Sequence, residues 1–262
     1  MIARRLPPLI LVGLVLLAGG CGLLPEKQDE TADWSAQKLY SEARSALNDG
    51  DYSQAVKYYE SLEARYPFGK FAQQAQLEVA YAYYKQDEPD SAIAAVDRFI
   101  KLNPRHPSVD YAYYLKGLVN FNRGQGLVER YLPQDPAQRD PGAALQSFED
   151  FATLVRLYPD SSYAADARQR MLYLRNILAT HEVQVAEFYM DRGAYVAASN
   201  RAKHVVENYP QTPATPDALV VLAQAYRQLG LNDFADDALR VLRLNYPDHP
   251  GIAEAERLAA QP

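Results

Sequence analysis

Five dipeptides set the architecture of this chain: Tyr66-Pro67, Asn103-Pro104, Tyr158-Pro159, Tyr209-Pro210 and Tyr246-Pro247. Each closes an amphipathic segment. Proline lacks an N–H and its ring clashes with the preceding turn, so each marks a place where a helix must stop. Counting back twelve residues from each proline gives Ala55, Ala92, Ser147, Ala198 and Ala235, all small. Eight residues back lie Tyr59, Val96, Phe151, Ala202 and Leu239; five residues back lie Leu62, Phe99, Leu154, Val205 and Leu242. These columns are spaced four and three apart, which puts them on one helical face. The small column lets a neighbouring helix approach closely. Gly50, Gly193 and Gly230 lie seventeen residues back from their prolines, where a helix can end in a left-handed residue and turn into the next, and Tyr52 and Tyr195 follow two positions later.

A helical hairpin repeated with this punctuation resembles the tetratricopeptide repeat, two antiparallel helices in about 34 residues. The intervals Pro67 to Pro104 and Pro210 to Pro247 are both 37 residues, whereas the two middle intervals are 55 and 51. The third repeat therefore carries an insertion, visible as the Gly-, Pro- and charge-rich stretch 122–142. An extra helix is expected over 166–182, with Met171, Leu174 and Leu178 on its apolar side. The expected fold is all-α: a tetratricopeptide-repeat solenoid of about five helical hairpins, with one insertion and an extra helix. Its parts are N-terminal repeats over 35–110, a third repeat with insertion and linking helix over 111–182, and C-terminal repeats over 183–262. Such a solenoid offers a long concave surface suited to peptides and other proteins.

The beginning of the chain speaks of location. Residues 1–20 join a short positive region (Arg4, Arg5) to an apolar run from Leu9 to Leu17 and the small residues Ala18-Gly19-Gly20. That is the layout of a secretory signal peptide, too short to span a bilayer. Cys21, the one cysteine, follows directly. It resembles the lipidated cysteine of a bacterial lipobox, although Ala18 stands where leucine is most typical. Gly22 rather than Asp after the cysteine directs such a lipoprotein to the outer membrane, on its periplasmic face. The polar stretch 21–34 then reads as lipidated Cys and flexible tether. Removing Arg4 and Arg5 leaves 25 Lys and Arg against 33 Asp and Glu, taking the net charge from −6 to −8. That balance argues against nucleic acid as a partner.

Catalytic signatures are missing. HExxH, GxSxG, the P-loop and GxGxxG do not occur. Of the four histidines, His106 and His249 sit beside prolines, and His181 and His204 are not paired at i, i+4 with another ligand type that would suggest a metal. The chain reads as a non-enzyme with no cofactor and no metal. Its aromatics are more telling: YAYY occurs at 81–84 and again at 111–114, among 20 tyrosines. Tyrosine gives contact area and a hydroxyl at small entropic cost, which suits a groove for an extended peptide.

Several stretches together resemble the BamD family, lipoproteins of the outer-membrane β-barrel assembly machinery: RYPFGKF (65–71), AYAYYK (80–85), DRFIKLNPRHPSVDY (97–111), RDP (139–141), LVRLYP (154–159), VAEFYMDRGAYVA (185–197) and DALVVLAQAYRQLG (217–230). The resemblance covers residues 21 to about 250. It implies a scaffold that binds BamA and, in many species, BamC and BamE, and that receives unfolded outer-membrane protein precursors on its N-terminal repeats. Carried over by motif, the substrate-binding candidates are Arg65, Tyr66, Pro67, Phe68 and Gly69, with Tyr81 and Tyr84 on the next helix. Arg201 is the candidate on the BamA side; it interrupts a column otherwise made of Tyr58, Ala95, Asp150 and Ala238. A pilotin escorting a secretin or pilus component, or a regulator of a cell-envelope enzyme, are the alternative roles for a lipid-anchored chain of this design.

Overall fold

A computed structural model describes residues 30–123, 136–138 and 140–259. Cys21, the signal-peptide stretch 1–20 and most of the insertion 122–142 lie outside the described residues. Eleven α-helices follow one another there: α1 Ala36–Asp49, α2 Tyr52–Arg65, α3 Lys70–Lys85, α4 Pro89–Leu102, α5 Val109–Asn122, α6 Gly142–Leu157, α7 Ala164–Asp191, α8 Tyr195–Asn208, α9 Thr215–Gln228, α10 Asn232–Asn245 and α11 Gly251–Ala259. The described residues contain no strand. The helices pair as five hairpins, α1/α2 through α9/α10, and α11 packs mainly on α9. This is the tetratricopeptide-type stack that the proline spacing implies.

The proline columns explain how the stack closes. All fifteen residues of the small and apolar columns are buried, the most exposed of them, Leu239, at 4 %. The residue before each proline caps its helix in the same way: Tyr66, Asn103, Tyr158, Tyr209 and Tyr246 have φ between −138° and −122° and ψ between 46° and 66°. Proline disfavours the α region for the residue before it, which accounts for the common geometry. Each of the five N–H groups still reaches the carbonyl five residues before the proline, at 2.8–2.9 Å. Burying one such apolar side chain contributes about 1.5–3 kcal/mol, and the columns include the largest fully buried side chains, Tyr59, Phe99 and Phe151.

The hairpin turns use the glycine column as expected. Gly50, Gly193 and Gly230 have φ of 82°, 71° and 73°. Asp87, at the same position of the second repeat, is also left-handed with φ 62°. Asp tolerates this conformation better than most residues, so the turn survives without glycine.

Two expectations need correction. The extra helix expected over 166–182 is not a separate element. It runs without interruption into the first helix of the fourth hairpin as the 28-residue α7, which contains no Gly or Pro to break it. The division at 182/183 therefore falls inside one helix. Leu174 of α7 belongs to the middle core with Phe151 and Leu154, while Ala179, Val183 and Ala186 belong to the C-terminal core. The tether expected over 21–34 also ends early, because Thr31 and Trp34 are docked on the first hairpin. Near the insertion, the short 3₁₀ turn Pro136–Gln138 is joined to α7 by His181 Nδ1 and the Ala137 carbonyl, 2.7 Å apart.

α5 and α6 pack closely. Ser147 Oγ donates to the Gly117 carbonyl at 2.9 Å, and a Cβ on Gly117 would lie 2.5 Å from Phe151 Cε1. Overpacking a buried contact costs about 1–3 kcal/mol. Gly117→Ala is expected to lower the unfolding free energy by about that amount. Adding Phe151→Leu should cost less in that background than in the wild type, because the smaller side chain makes room; urea denaturation of the two single variants and the double variant measures the coupling.

Candidate peptide-binding groove

The first helices of the first three hairpins, with the loops that follow the prolines, enclose an open groove of about 490 Å³. Arg44, Leu47 and Asn48 come from α1; Gln74, Leu77, Glu78 and Tyr81 come from α3. Pro107, Ser108, Asp110 and Tyr111 come from the start of α5 and the loop before it, and Ser162 and Tyr163 from the turn before α7. The α3 contribution is a stripe at spacing three, four and seven, the face that a helix presents to one side.

Its apolar wall is built of stacked tyrosines. The rings of Tyr111 and Tyr163 are 5.4 Å apart, and Tyr163 stacks on Tyr114 at 4.8 Å. Tyr81 and Tyr84 are in contact at 6.2 Å, and the Tyr84 hydroxyl accepts from Asn122 Nδ2. Tyr114 donates to Asp166 Oδ2 at 2.6 Å, which fixes the stack to α7. Burial, and then the neighbouring phenols Tyr81 and Tyr163, push the Tyr111 hydroxyl above its ordinary pKa. The Tyr111 hydroxyl therefore stays neutral across the physiological range, and the rings of the wall act as contact area.

The floor carries a carboxylate that is already satisfied. Glu78 Oε1 accepts from the Tyr40 hydroxyl and from Gln74 Nε2, both at 2.9 Å, and Oε2 accepts from the Tyr59 hydroxyl. Burial, and then the Glu78 carboxylate, push Tyr40 up to about 12 and raise Tyr59 in the same direction.

The seven substrate candidates separate into groups. Tyr81 lines the groove and Tyr84 touches Tyr81. The RYPFG loop lies between α2 and α3 and lines no part of this groove. Arg65 donates from Nη1 to the Thr31 carbonyl and from Nη2 to Thr31 Oγ1, and the Tyr66 hydroxyl donates to the Trp34 carbonyl at 2.9 Å. Trp34 stacks against Tyr58 at 5.3 Å, with Lys38 Nζ 4.4 Å from its ring centroid. Two residues of the loop thus clamp the segment that leads into α1. Pro67 stops α2; Gly69 starts α3 with φ 100°, a backbone that suits glycine. Phe68 stands 91 % exposed between them.

Arg44, Gln74, Glu78 and Tyr163 lie outside every motif quoted from the sequence. The stripe on α3 is the one signal that could have pointed to some of them. At the other end of the chain, Arg201 on α8 has an internal partner: its Nη1 meets Glu182 of α7 at 3.0 and 3.2 Å. Arg201 is 48 % exposed and Glu182 16 %, and Glu182 engages that one nitrogen. Among the described residues there is no group of three or more His, Cys, Asp or Glu arranged to hold a metal ion, and no helix long and apolar enough to cross a membrane.

Comparison with known proteins decides the family. The YfiO family model, described as an outer membrane lipoprotein, matches residues 32–242. The outer membrane protein assembly factor BamD of Neisseria meningitidis serogroup A is 45 % identical over 250 residues, covering 94 % of each chain. The chain belongs to this family. The BamD proteins of Xylella fastidiosa and Vibrio cholerae are each 38 % identical, covering 93 % and 90 % of this chain and 83 % and 96 % of theirs. The family match begins at 32, beside the docked Thr31, and covers the groove and the five hairpins up to Leu242.

Trp34 is the one tryptophan, so its emission reports the clamp alone. Arg65→Ala combined with Tyr66→Phe is expected to shift Trp34 fluorescence to the red and raise its accessibility to iodide, with the helical circular dichroism unchanged. An unshifted spectrum would show that the lead-in segment stays docked without these two residues.

Proposed function

We propose that the chain is a scaffold of the β-barrel assembly machinery, held by lipid at the periplasmic face of the outer membrane, that binds unfolded outer-membrane protein precursors and presents them to BamA without a reaction of its own. The observation that carries this reading is a tyrosine-walled groove across three hairpins in a chain that belongs to a family of assembly factors.

The chemistry of the precursor suits the groove. A barrel strand alternates apolar and polar residues, so in extended form its apolar side chains lie on one side. Leu77, Tyr81, Tyr111 and Tyr163 take that side, and Asn48, Gln74 and Ser108 offer polar atoms to the exposed main chain. Phe68 adds a ring whose covering would contribute about 1.5–3 kcal/mol. Tyr84 supports Tyr81. Arg65, Tyr66, Pro67 and Gly69 take part indirectly, by setting the loop that displays Phe68. Covering the apolar side of a precursor keeps it from aggregating, and an open groove allows release.

Attachment rests on Cys21. Each buried CH₂ of an acyl chain contributes about 0.8 kcal/mol and two or more chains are needed for a stable anchor. Nine residues lie between Cys21 and the docked Thr31, so at an extended rise of about 3.5 Å per residue the body sits within about 35 Å of the lipid. On the C-terminal repeats, Arg201 offers BamA the donors that Glu182 leaves unused, and a carboxylate on BamA is the matching group. BamC and BamE are further partners in species that have them. The pilotin and envelope-regulator roles gain no support from the family match.

Two measurements test this reading. Tyr81→Ala or Phe68→Ala should weaken binding of a precursor C-terminal peptide about tenfold or more while leaving the helical circular dichroism intact; equal binding by wild type and both variants removes the site. Pull-down from detergent-solubilised envelopes should recover a β-barrel with tandem periplasmic domains, and Arg201→Glu should reduce that recovery. A secretin or a peptidoglycan enzyme in its place would select one of the other roles.

A further inference from the structure

The second helix of the last hairpin, α10, departs from the other four on one face. Thirteen residues before the proline those helices have Gln54, Ser91, Gln146 and Ala197, and α10 has Phe234. Six residues before it, Ser61, Arg98, Thr153 and His204 give way to Val241; three before it, Ala64, Lys101, Arg156 and Glu207 give way to Leu244. With Leu231 at the N-cap, these large apolar side chains are all exposed, Phe234 at 59 %. The end of the stack is treated in the opposite way. Asp236 and Arg243 occupy the positions at which α4 and α6 pack Ile93, Ile100, Phe148 and Val155 against the core. They are paired with Arg227 of α9 and Glu256 of α11. A terminal repeat needs a polar outer face to stay soluble. Here the end is polar and the side is apolar, so the stripe is not a face left bare by a missing repeat. Contiguous exposed apolar surface of this kind marks an interaction site.

The stripe is complementary to itself. Leu231, Phe234, Ala238 and Val241 have the alternating three- and four-residue spacing of a coiled-coil seam. That spacing reads the same in both directions along the helix. In an antiparallel pair related by a twofold axis, Leu231 meets Val241 of the second copy and Phe234 meets its Ala238, each contact made twice. The large ring thus falls on the small residue, knob into hole. The charges agree with this register. Asp237 and Arg240 pair at 2.6 Å along one flank of the seam, both about two-thirds exposed. Asp233 on the same flank is exposed and has no basic group of the described residues within 4.0 Å. Antiparallel pairing brings it beside Arg240 of the second copy.

We propose that α10 is a self-association surface, through which two copies of this chain pair antiparallel about a twofold axis. The groove lies in the first three hairpins and stays open in both copies. The seam is about three turns long and buries less than the roughly 1,200–2,000 Å² of a standard interface, so the pair is weak in dilute solution. Anchoring both copies in one membrane raises their effective concentration and favours it.

The test uses the full chain, first in detergent and then in vesicles of phosphatidylethanolamine and phosphatidylglycerol. Sedimentation velocity in detergent should show a mean sedimentation coefficient that rises with protein concentration. Phe234→Asp should weaken this self-association about tenfold or more and leave the helical circular dichroism unchanged, because the ring it removes is exposed. The register is read by disulfide formation in the vesicles. Leu231→Cys copies mixed with Val241→Cys copies should cross-link under mild oxidation several-fold more than either variant alone, with wild type as the blank. A wild type that stays monomeric at every concentration and a mixture that does not cross-link overturn the proposal. Cross-linking of each single variant as strong as that of the mixture overturns the antiparallel register and the pairing argued from it. A monomeric chain from which Phe234→Asp removes a different protein in an envelope pull-down assigns the stripe to that protein and overturns the second copy as its occupant.

Discussion

The structure depends on how five helices end. Proline disfavours the α conformation for the residue before it, and at these five stops that residue answers each time with closely similar φ and ψ and the same N–H bond to the carbonyl of the last buried apolar residue. Because the stop is fixed relative to Leu62, Phe99, Leu154, Val205 and Leu242, the buried face of each second helix meets its partner in one register. The small residue seven positions earlier on that face then sets how close the first helix can come. Ser147 shows how tight this is: it replaces alanine without opening the contact because its hydroxyl bonds the Gly117 carbonyl. The concave surface, and the groove in it, inherit their shape from these repeated stops.

The groove shows how a buried polar network can leave a surface with a purpose. Glu78 would be costly where it lies if its oxygens were bare, since an unsatisfied buried acceptor loses about 1–3 kcal/mol or more. Tyr40, Tyr59 and Gln74 remove that cost and in doing so hold α1, α2 and α3 together. The same tyrosines serve the core and the floor of the groove. The RYPFG loop divides its labour similarly. Arg65 and Tyr66 bind backward to Thr31 and Trp34, and Phe68 alone is turned outward.

How much of this the sequence discloses follows from the range of each interaction. The hairpins are legible because every signal lies within 17 residues of a proline. The left-handed turn at Asp87 is hidden because the column advertises itself only through glycine. The continuity of α7 is hidden because continuity has no residue of its own; what marks it is the lack of Gly or Pro from 164 to 191, easily read as two helices when repeats of 37 are expected. The clamp on Trp34 escapes because Thr31 sits in a polar run indistinguishable by composition from a tether. The groove escapes for the opposite reason: Arg44, Glu78, Tyr111 and Tyr163 are far apart in sequence and meet through stacking alone. Tyr81 was within reach because it belongs to a motif and to the α3 stripe at once.

One helix joins the two ends of the molecule. Tyr163, in the groove wall, caps the N-terminus of α7, and Glu182, the partner of Arg201, lies nineteen residues along it. At 1.5 Å per residue that is about 28 Å of uninterrupted helix. Its near half is packed into the middle core through Ala167 and Leu174, its far half into the C-terminal core through Ala179, Val183 and Ala186. A helix held along its whole length and free of Pro and Gly has no joint at which to bend, since sharp kinks need such a residue or an interrupted hydrogen bond. The geometry between the groove and Arg201 is therefore a fixed offset. In the proposed role a fixed offset is the useful property: a peptide held in the groove would be presented at a set distance from a partner at Arg201, and a hand-over would need motion of the peptide and the partner rather than of the solenoid.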